Sequence, residues 1–126
     1  MPTDVSTGAR APVPASILSQ GPNLIVSIHT ALDDEQLVRL QRELLERVGR
    51  DRSRGILIDV AALDVLDSFA ARTLADLAYM AQLRGARTVV VGIAPDVAMT
   101  LVRLGVRFPL MQTALDLEEG LEWLRA

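Results

Sequence analysis

The sequence predicts an α/β domain with parallel crossovers and one initial hairpin, in the order β-β-α-β-α-β-α-(β)-α. Three observations predict it. Strand-like segments, alternating or unbrokenly apolar, take turns along the chain with segments whose apolar residues recur at helical spacing. The tetrad Gln20-Gly21-Pro22-Asn23 parts the first two strand-like segments with a turn signal, because Gly and Asn tolerate positive φ and Pro fixes its own. Half of the 126 residues are hydrophobic. A chain of this length buries roughly two-thirds of its unfolded surface, so one core suffices.

A first short strand is expected over Ser16 to Ser19. After the turn, Leu24 to Thr30 alternates: Leu24, Val26, Ile28 and Thr30 point one way, and Ile25, Ser27 and His29 the other. The first helix opens at Asp33, an N-cap with Gln36 as its capping-box partner, and Leu32 and Leu37 hold the two positions of a hydrophobic staple. Leu37, Leu40, Leu44, Leu45 and Val48 form its apolar stripe, and Gly49 with the charged run Arg50 to Arg54 is expected to end it. Gly55 to Val60 (GILIDV) reads as a strand rich in β-branched residues. Residues 70–84 read as a second helix that begins near Ser68. Its stripe is Ala70, Leu74, Leu77, Ala78 and Ala81, small enough to approach a sheet closely, and Gly85 suits the C′ position. Thr88 to Ile93 has no alternation and fits a central strand buried on both faces. Pro95 fits the first turn of a third helix, with Val97, Ala98, Leu101 and Leu104 inward and Gly105 at its end. An irregular connection with room for one short strand follows. Asp116 and Glu119 repeat the capping-box pattern before a last helix with the stripe Leu117, Leu121 and Leu124. Residues 1–12 are expected to form a flexible tail, and residues 13–126 the folded domain.

Composition narrows the chemistry. There is no cysteine and a single histidine, His29, which excludes disulfides, thiolate nucleophiles and multi-histidine metal sites. All 13 cationic side chains are arginine, so lysine-dependent phosphate loops and Schiff bases are excluded. The net charge of −3 supplies no field for nucleic acid. No apolar run is long enough to span a membrane, and the first residues lack the apolar stretch of a signal peptide. These features read as a soluble, cytoplasmic protein that is not an enzyme and needs no cofactor or metal.

The segment with most to say is ALDVLDSFAARTLADL, Ala62 to Leu77, which joins a strand to a helix. Ser68 stands where backbone N–H groups at a helix start lack partners. Either Ser68 or Asp67 is the N-cap. The same place makes Ser68 a candidate phosphorylation site, since free N–H groups and the helix dipole favour an anion. At about 100° per residue, Phe69 falls off the buried stripe, on a flank shared with Met80, Leu83 and Asp76. That flank is either a partner-binding surface or a packing surface for a neighbouring helix. Asp59 at a strand end invites comparison with the phosphoacceptor of a receiver domain, with Asp33 and Asp34 as its acidic pocket, but the lysine such a site needs is missing. His29 reads as a solvated or hydrogen-bonded surface residue. Gly92-Ile93-Ala94-Pro95 is only a weak phosphate-loop signal.

The strand GILIDV and the following LDVLDSFAARTLADLAYMAQLRGARTVVVGIAPDVAMTLVRLG resemble a STAS domain, the family named for sulfate transporters and anti-sigma-factor antagonists. Over residues 13–125, with the triplet Asp67-Ser68-Phe69, the likeness is to the small stressosome antagonists of the RsbS type. The resemblance implies a mixed sheet with four helices mostly on one side. It implies phosphorylation of Ser68 by a serine/threonine switch kinase of the RsbT type, which supplies the ATP site. It also implies a large hetero-oligomer with a paralogous sensor scaffold of the RsbR type, which holds the kinase until Ser68 is modified. Asp67, Phe69, Asp76, Met80 and Leu83 would contact the partner. Thr100, near the later helix start, would be a second candidate phosphorylation site. The alternatives are a simple soluble anti-sigma-factor antagonist and, further off, the receiver-like use of Asp59. Leu57, either Val89 or Val91, and Ile25 are expected on a second sheet face, covered by the last helix or by another subunit. The resemblance favours the subunit.

Overall fold

The computed structural model describes residues 14–108 and 111–126; the tail assigned to residues 1–12 lies outside them. The described elements follow the expected order: β1 Ala15–Gln20, β2 Asn23–Ile28, α1 Asp34–Asp51, β3 Gly55–Asp59, α2 Ser68–Leu83, β4 Arg87–Val91, α3 Pro95–Arg103, β5 Met111–Ala114 and α4 Leu117–Arg125. The short strand in the irregular connection is therefore β5. The fold is α/β, and its sheet is mixed. β1 runs antiparallel to β2, the later neighbours are parallel, and spatial order equals chain order.

That sequential order decides where the helices go. Right-handed crossovers that always step the same way place their helices on one face. α1, α2 and α3 accordingly share a core with Leu24, Val26, Ile28, Ile56, Ile58 and Val90, through Leu37, Leu44 and Val48, the alanine-rich stripe of α2, and Val97 and Leu101. α4 follows the last strand and is bound by no crossover. It covers the opposite face, where Ile25, Leu57, Val89 and Val91 pack with Ala114, Leu121, Trp123 and Leu124.

This corrects the expectation of a covering subunit: the second face is covered by the chain's own last helix. Both valines lie there, since residues two apart in a strand share a face. Gly120 lets α4 come close. A Cβ at that position would stand 2.7 Å from Val91 Cγ1 and 2.8 Å from Leu57 Cδ1. The inward stripe expected for α4 holds for Leu121 and Leu124, but Leu117, at the helix start, is exposed.

Other details differ. α1 does not stop at Gly49; it runs on to Asp51 and closes on Arg52 at φ 54. Gly49 instead makes room for the Arg84 guanidinium, which a Cβ there would strike. In α3 only Val97 and Leu101 of the expected stripe are buried; Ala98 and Leu104 are exposed, because this short helix touches the core with a narrow face. The capping box at Asp33 is complete, with Gln36 N–H donating to Asp33 Oδ1 at 2.7 Å and Asp33 N–H to Gln36 Oε1 at 2.9 Å. At α4, Asp116 accepts from Glu119 N–H, but the Glu119 carboxylate reaches one residue further back, to Leu115 N–H at 2.8 Å.

Candidate functional site

The loop between β3 and α2 carries Ser68. It leaves the sheet through Asp59, whose Oδ1 accepts from Ala61 N–H at 2.9 Å, and through Val60, whose N–H donates to Val91 C=O at 3.0 Å. Leu63 and Leu66 anchor it in the core, while Val65 between them is 68% exposed. With both anchors sunk, the chain has one course into α2.

Asp67 is the N-cap. Its backbone is extended, its Oδ1 accepts from Ala70 N–H at 2.8 Å, and its carbonyl accepts the first helical bond from Ala71 N–H at 2.9 Å. Ser68 is then the first helical residue and is half-buried. Of the two capping candidates, the carboxylate has the task, and the Ser68 hydroxyl is spared it. The structure places Phe69 (39% exposed), Asp76 (exposed), Met80 (half-buried) and Leu83 (72% exposed) along one flank of α2. Val65 in the loop and Tyr79 on α2 are exposed as well. Val65 escaped the sequence reading because loop residues have no periodicity to project; Tyr79 was visible only as one turn before Leu83.

A cavity of about 60 Å³ lies under this loop, lined by Leu32, Leu37, Leu63, Leu66, Ala70 and Leu74 among others, with Asp67 at its edge. Small-molecule sites run to roughly 300–1,000 Å³. The cavity is too small and too apolar for a nucleotide.

The remaining candidates fare differently. Thr100 is exposed but sits in the second turn of α3, not at its start, and its hydroxyl donates to Asp96 C=O at 3.0 Å. Asp33 is committed to its cap and Asp59 to Ala61. Among the described residues no group of three acidic or histidine side chains is placed to hold a metal ion, so the acidic pocket of the receiver reading is not assembled. His29 is exposed, with Nε2 3.2 Å from Ser16 Oγ. Gly92 has φ +82, and a Cβ there would stand 2.8 Å from Ala61 Cβ, so this glycine serves loop packing.

A family model, the STAS domain, matches residues 15–120. The chain belongs to the STAS domain family. In sequence this STAS domain is 31% identical over 91 residues to the RsbT co-antagonist protein RsbRA of Bacillus subtilis, a match covering 72% of the chain and 33% of that relative. It thus spans about a third of the length of the co-antagonist. In structure it matches an RsbS of Moorella thermoacetica, solved as a serine-to-glutamate variant, with TM-score 0.78 and 34% identity over 90% of this chain and 96% of that one. A chain of the stressosome, a signal integration and transduction hub, matches with TM-score 0.70 and 32% identity, over 87% of this chain and 96% of that one. The anti-sigma-factor antagonist SpoIIAA shares the fold at 14% identity, with TM-score 0.65 over 89% of this chain and 98% of that one. This STAS domain therefore stands with the RsbS- and RsbR-like proteins in sequence and has the antagonist fold. Among its described residues no helix is long and apolar enough to cross a membrane.

Proposed function

We propose that this STAS domain is a non-enzymatic, phosphorylation-switched regulator and scaffold of the cytoplasm. It holds a serine/threonine switch kinase of the RsbT type in a stressosome-type assembly with an RsbR-type scaffold, and it releases the kinase when Ser68 is phosphorylated. The observation that carries the reading is the placement of Ser68: first residue of α2, next to an exposed Phe69, with its capping duty taken by Asp67.

The transfer needs nothing from this chain but the hydroxyl. Ser68 Oγ attacks the γ-phosphorus of ATP held by the kinase, the bond to the β-phosphate oxygen breaks, ADP leaves and the hydroxyl proton passes to a base on the kinase. The product carries about −1.5 to −2 charge. The amino end of α2 favours that charge and Asp67 opposes it, so the fold is little disturbed. The kinase contact is another matter. It is set on Asp67, Phe69, Asp76, Met80 and Leu83, and a phosphate at its edge repels acidic groups and must shed water. The likeness to an RsbS and to an RsbT co-antagonist supports this choice of partners.

The test is to incubate the purified chain with an RsbT-type kinase and ATP and to locate the phosphate by mass spectrometry. One phosphate on Ser68, and a kinase that stays bound to Ser68→Ala in the presence of ATP, are expected. Phosphate on any other residue, including Thr100, or unchanged labelling of Ser68→Ala, overturns the reading. A kinase complex that stays one-to-one after the RsbR-type scaffold is added reassigns the chain as a simple antagonist.

A further inference from the structure

The charges of the domain are sorted to its two ends. β2, β3 and β4 start level, with Asn23, Gly55 and Arg87 side by side in register. α1, α2 and α3 each return to that end before the next parallel strand. The last turn of α4 reaches it too, where Arg87 Nη2 donates to Trp123 C=O. Over the helices' last turns, the loops after them and the first residue of each next strand, this end carries eight arginines. Among the described residues it holds two carboxylates, Asp51 and Glu122. The opposite end, from the last residue of each parallel strand to the first turn of the next helix, carries ten carboxylates and no arginine. The net charge of −3 thus conceals a strongly basic pole.

Part of this sorting serves the fold. Cations suit the carboxyl ends of helices, where Arg50, Arg103 and Arg125 stand. Arg87 clamps α4, and Arg50 Nε lies 3.1 Å from Asp51. The remaining four, Arg52, Arg54, Arg84 and Arg107, are exposed, and among the described residues none is in an ion pair. They converge: Arg54 C=O accepts from Arg87 N–H at 3.0 Å, and the Arg84 guanidinium lies over Gly49 in the last turns of α1. Crowded like charges that the fold leaves unneutralised oppose the compact state, and a partner of the other sign relieves them.

The surroundings favour protein over nucleic acid or lipid. Val102 and Leu104, beside Arg103, are 78% and 50% exposed, and such apolar contacts serve a side chain rather than a phosphate. The exposed aromatics among the described residues, Phe69 and Tyr79, precede the last turn of α2, so neither stands at this end to stack a base. Arginine presents a planar fork that takes a carboxylate at two points. The Arg87 fork is already held, 4.1 Å from the Trp123 ring centroid. Fixed forks suit directional carboxylates better than the diffuse field of lipid headgroups.

We propose that this arginine end is a docking surface for an acidic segment of another protein, one in which apolar residues interrupt the carboxylates. The carboxylates pair with Arg54, Arg84 and Arg107, and an apolar side chain rests on Val102 and Leu104. Ser68 lies at the far end of α2, about 24 Å away along its axis. Docking therefore leaves Ser68 accessible and does not depend on the phosphorylation reading.

Fluorescence anisotropy tests it, with the full chain titrated into a short fluorescein-labelled peptide of glutamates interrupted by leucines. Saturable binding is expected at low ionic strength, weakening about tenfold at physiological salt. Arg54→Glu, Arg84→Glu and Arg107→Glu are each expected to weaken it about tenfold or more. Arg72→Glu, the same change of net charge at an exposed position in the second turn of α2, and Phe69→Ala are expected to leave it unchanged. A leucine-free peptide of equal charge is expected to bind less tightly. The three reversals relieve crowding, so their melting temperatures are expected to match or exceed that of the wild type, which separates lost binding from lost fold. No binding at low salt, or reversals no weaker than Arg72→Glu, overturns the proposal. So does tighter binding to a labelled oligonucleotide or to phosphatidylglycerol vesicles, which would assign the surface to nucleic acid or to a membrane.

Discussion

At the level of single residues, the division of labour between Asp67 and Ser68 has direct consequences. Asp67 holds the Ala70 N–H, so Asp67→Ala is expected to cost about 1 kcal/mol in urea denaturation, the usual worth of an N-cap. Ser68→Ala touches no cap and is expected to change stability by less than about 0.5 kcal/mol. The reverse pattern would make Ser68 structural and undermine its role as a switch. Binding separates the pair the other way. Ser68→Asp is expected to weaken the kinase complex, though less than a phosphate, which carries more charge and more acceptor oxygens. Phe69→Ala is expected to weaken it by about 1–2 kcal/mol if the ring is a central anchor, as titration calorimetry can read. The Asp67-Ser68-Phe69 triplet was legible in the sequence. Which of its polar members caps was not, because Ser and Asp are both favoured caps and a helix boundary shifted by one residue exchanges them.

At the level of elements, two glycines read as punctuation or passed over turn out to be packing devices. Gly49 lies inside α1, under the Arg84 side chain. Arg84 is exposed and flexible, so its guanidinium can shift at little cost. The gain in helix propensity from Gly to Ala approaches about 1 kcal/mol. Gly49→Ala is therefore expected to be neutral or stabilising in thermal melts. Gly120 is the opposite case, since the atoms it faces, on Val91 and Leu57, belong to a packed sheet. Gly120→Val is expected to push α4 outward and cost about 2 kcal/mol or more by overpacking. The chain's one tryptophan reports on this. Trp123 packs in the second core, with the Arg87 guanidinium 4.1 Å from its ring centroid and Arg87 Nη2 donating to its carbonyl at 2.6 Å. A red shift of its emission should accompany the loss of stability. Unshifted emission at wild-type stability would show that α4 can be spaced away from the sheet freely.

At the level of the whole molecule, the two sheet faces present different surfaces. α2, with Ser68 at its start, packs on the larger core, whereas α4 and exposed Leu18 share the other. Phe69→Ala is accordingly expected to lower the rate of Ser68 phosphorylation, and Leu18→Glu, a charge placed on the other face, to leave it unchanged. A kinase complex lost in both variants would show that the two surfaces are coupled through the sheet.

The sequence by itself determined the order and kind of every described element except β5, which it left open, since periodicity, caps and turn residues are local signals that each segment carries without its neighbours. It also placed the Asp67-Ser68-Phe69 triplet at the start of a helix. Only the tertiary structure decided what covers Ile25, Leu57, Val89 and Val91, which of the α3 and α4 leucines are inward, and that Leu18 is left open. Those outcomes depend on the path of α4 over three of five strands. That path is set by a close approach at Gly120 and a clamp from Arg87 to the carboxyl-terminal turn. Both join residues far apart in the chain, and no pattern within a single segment encodes such a meeting.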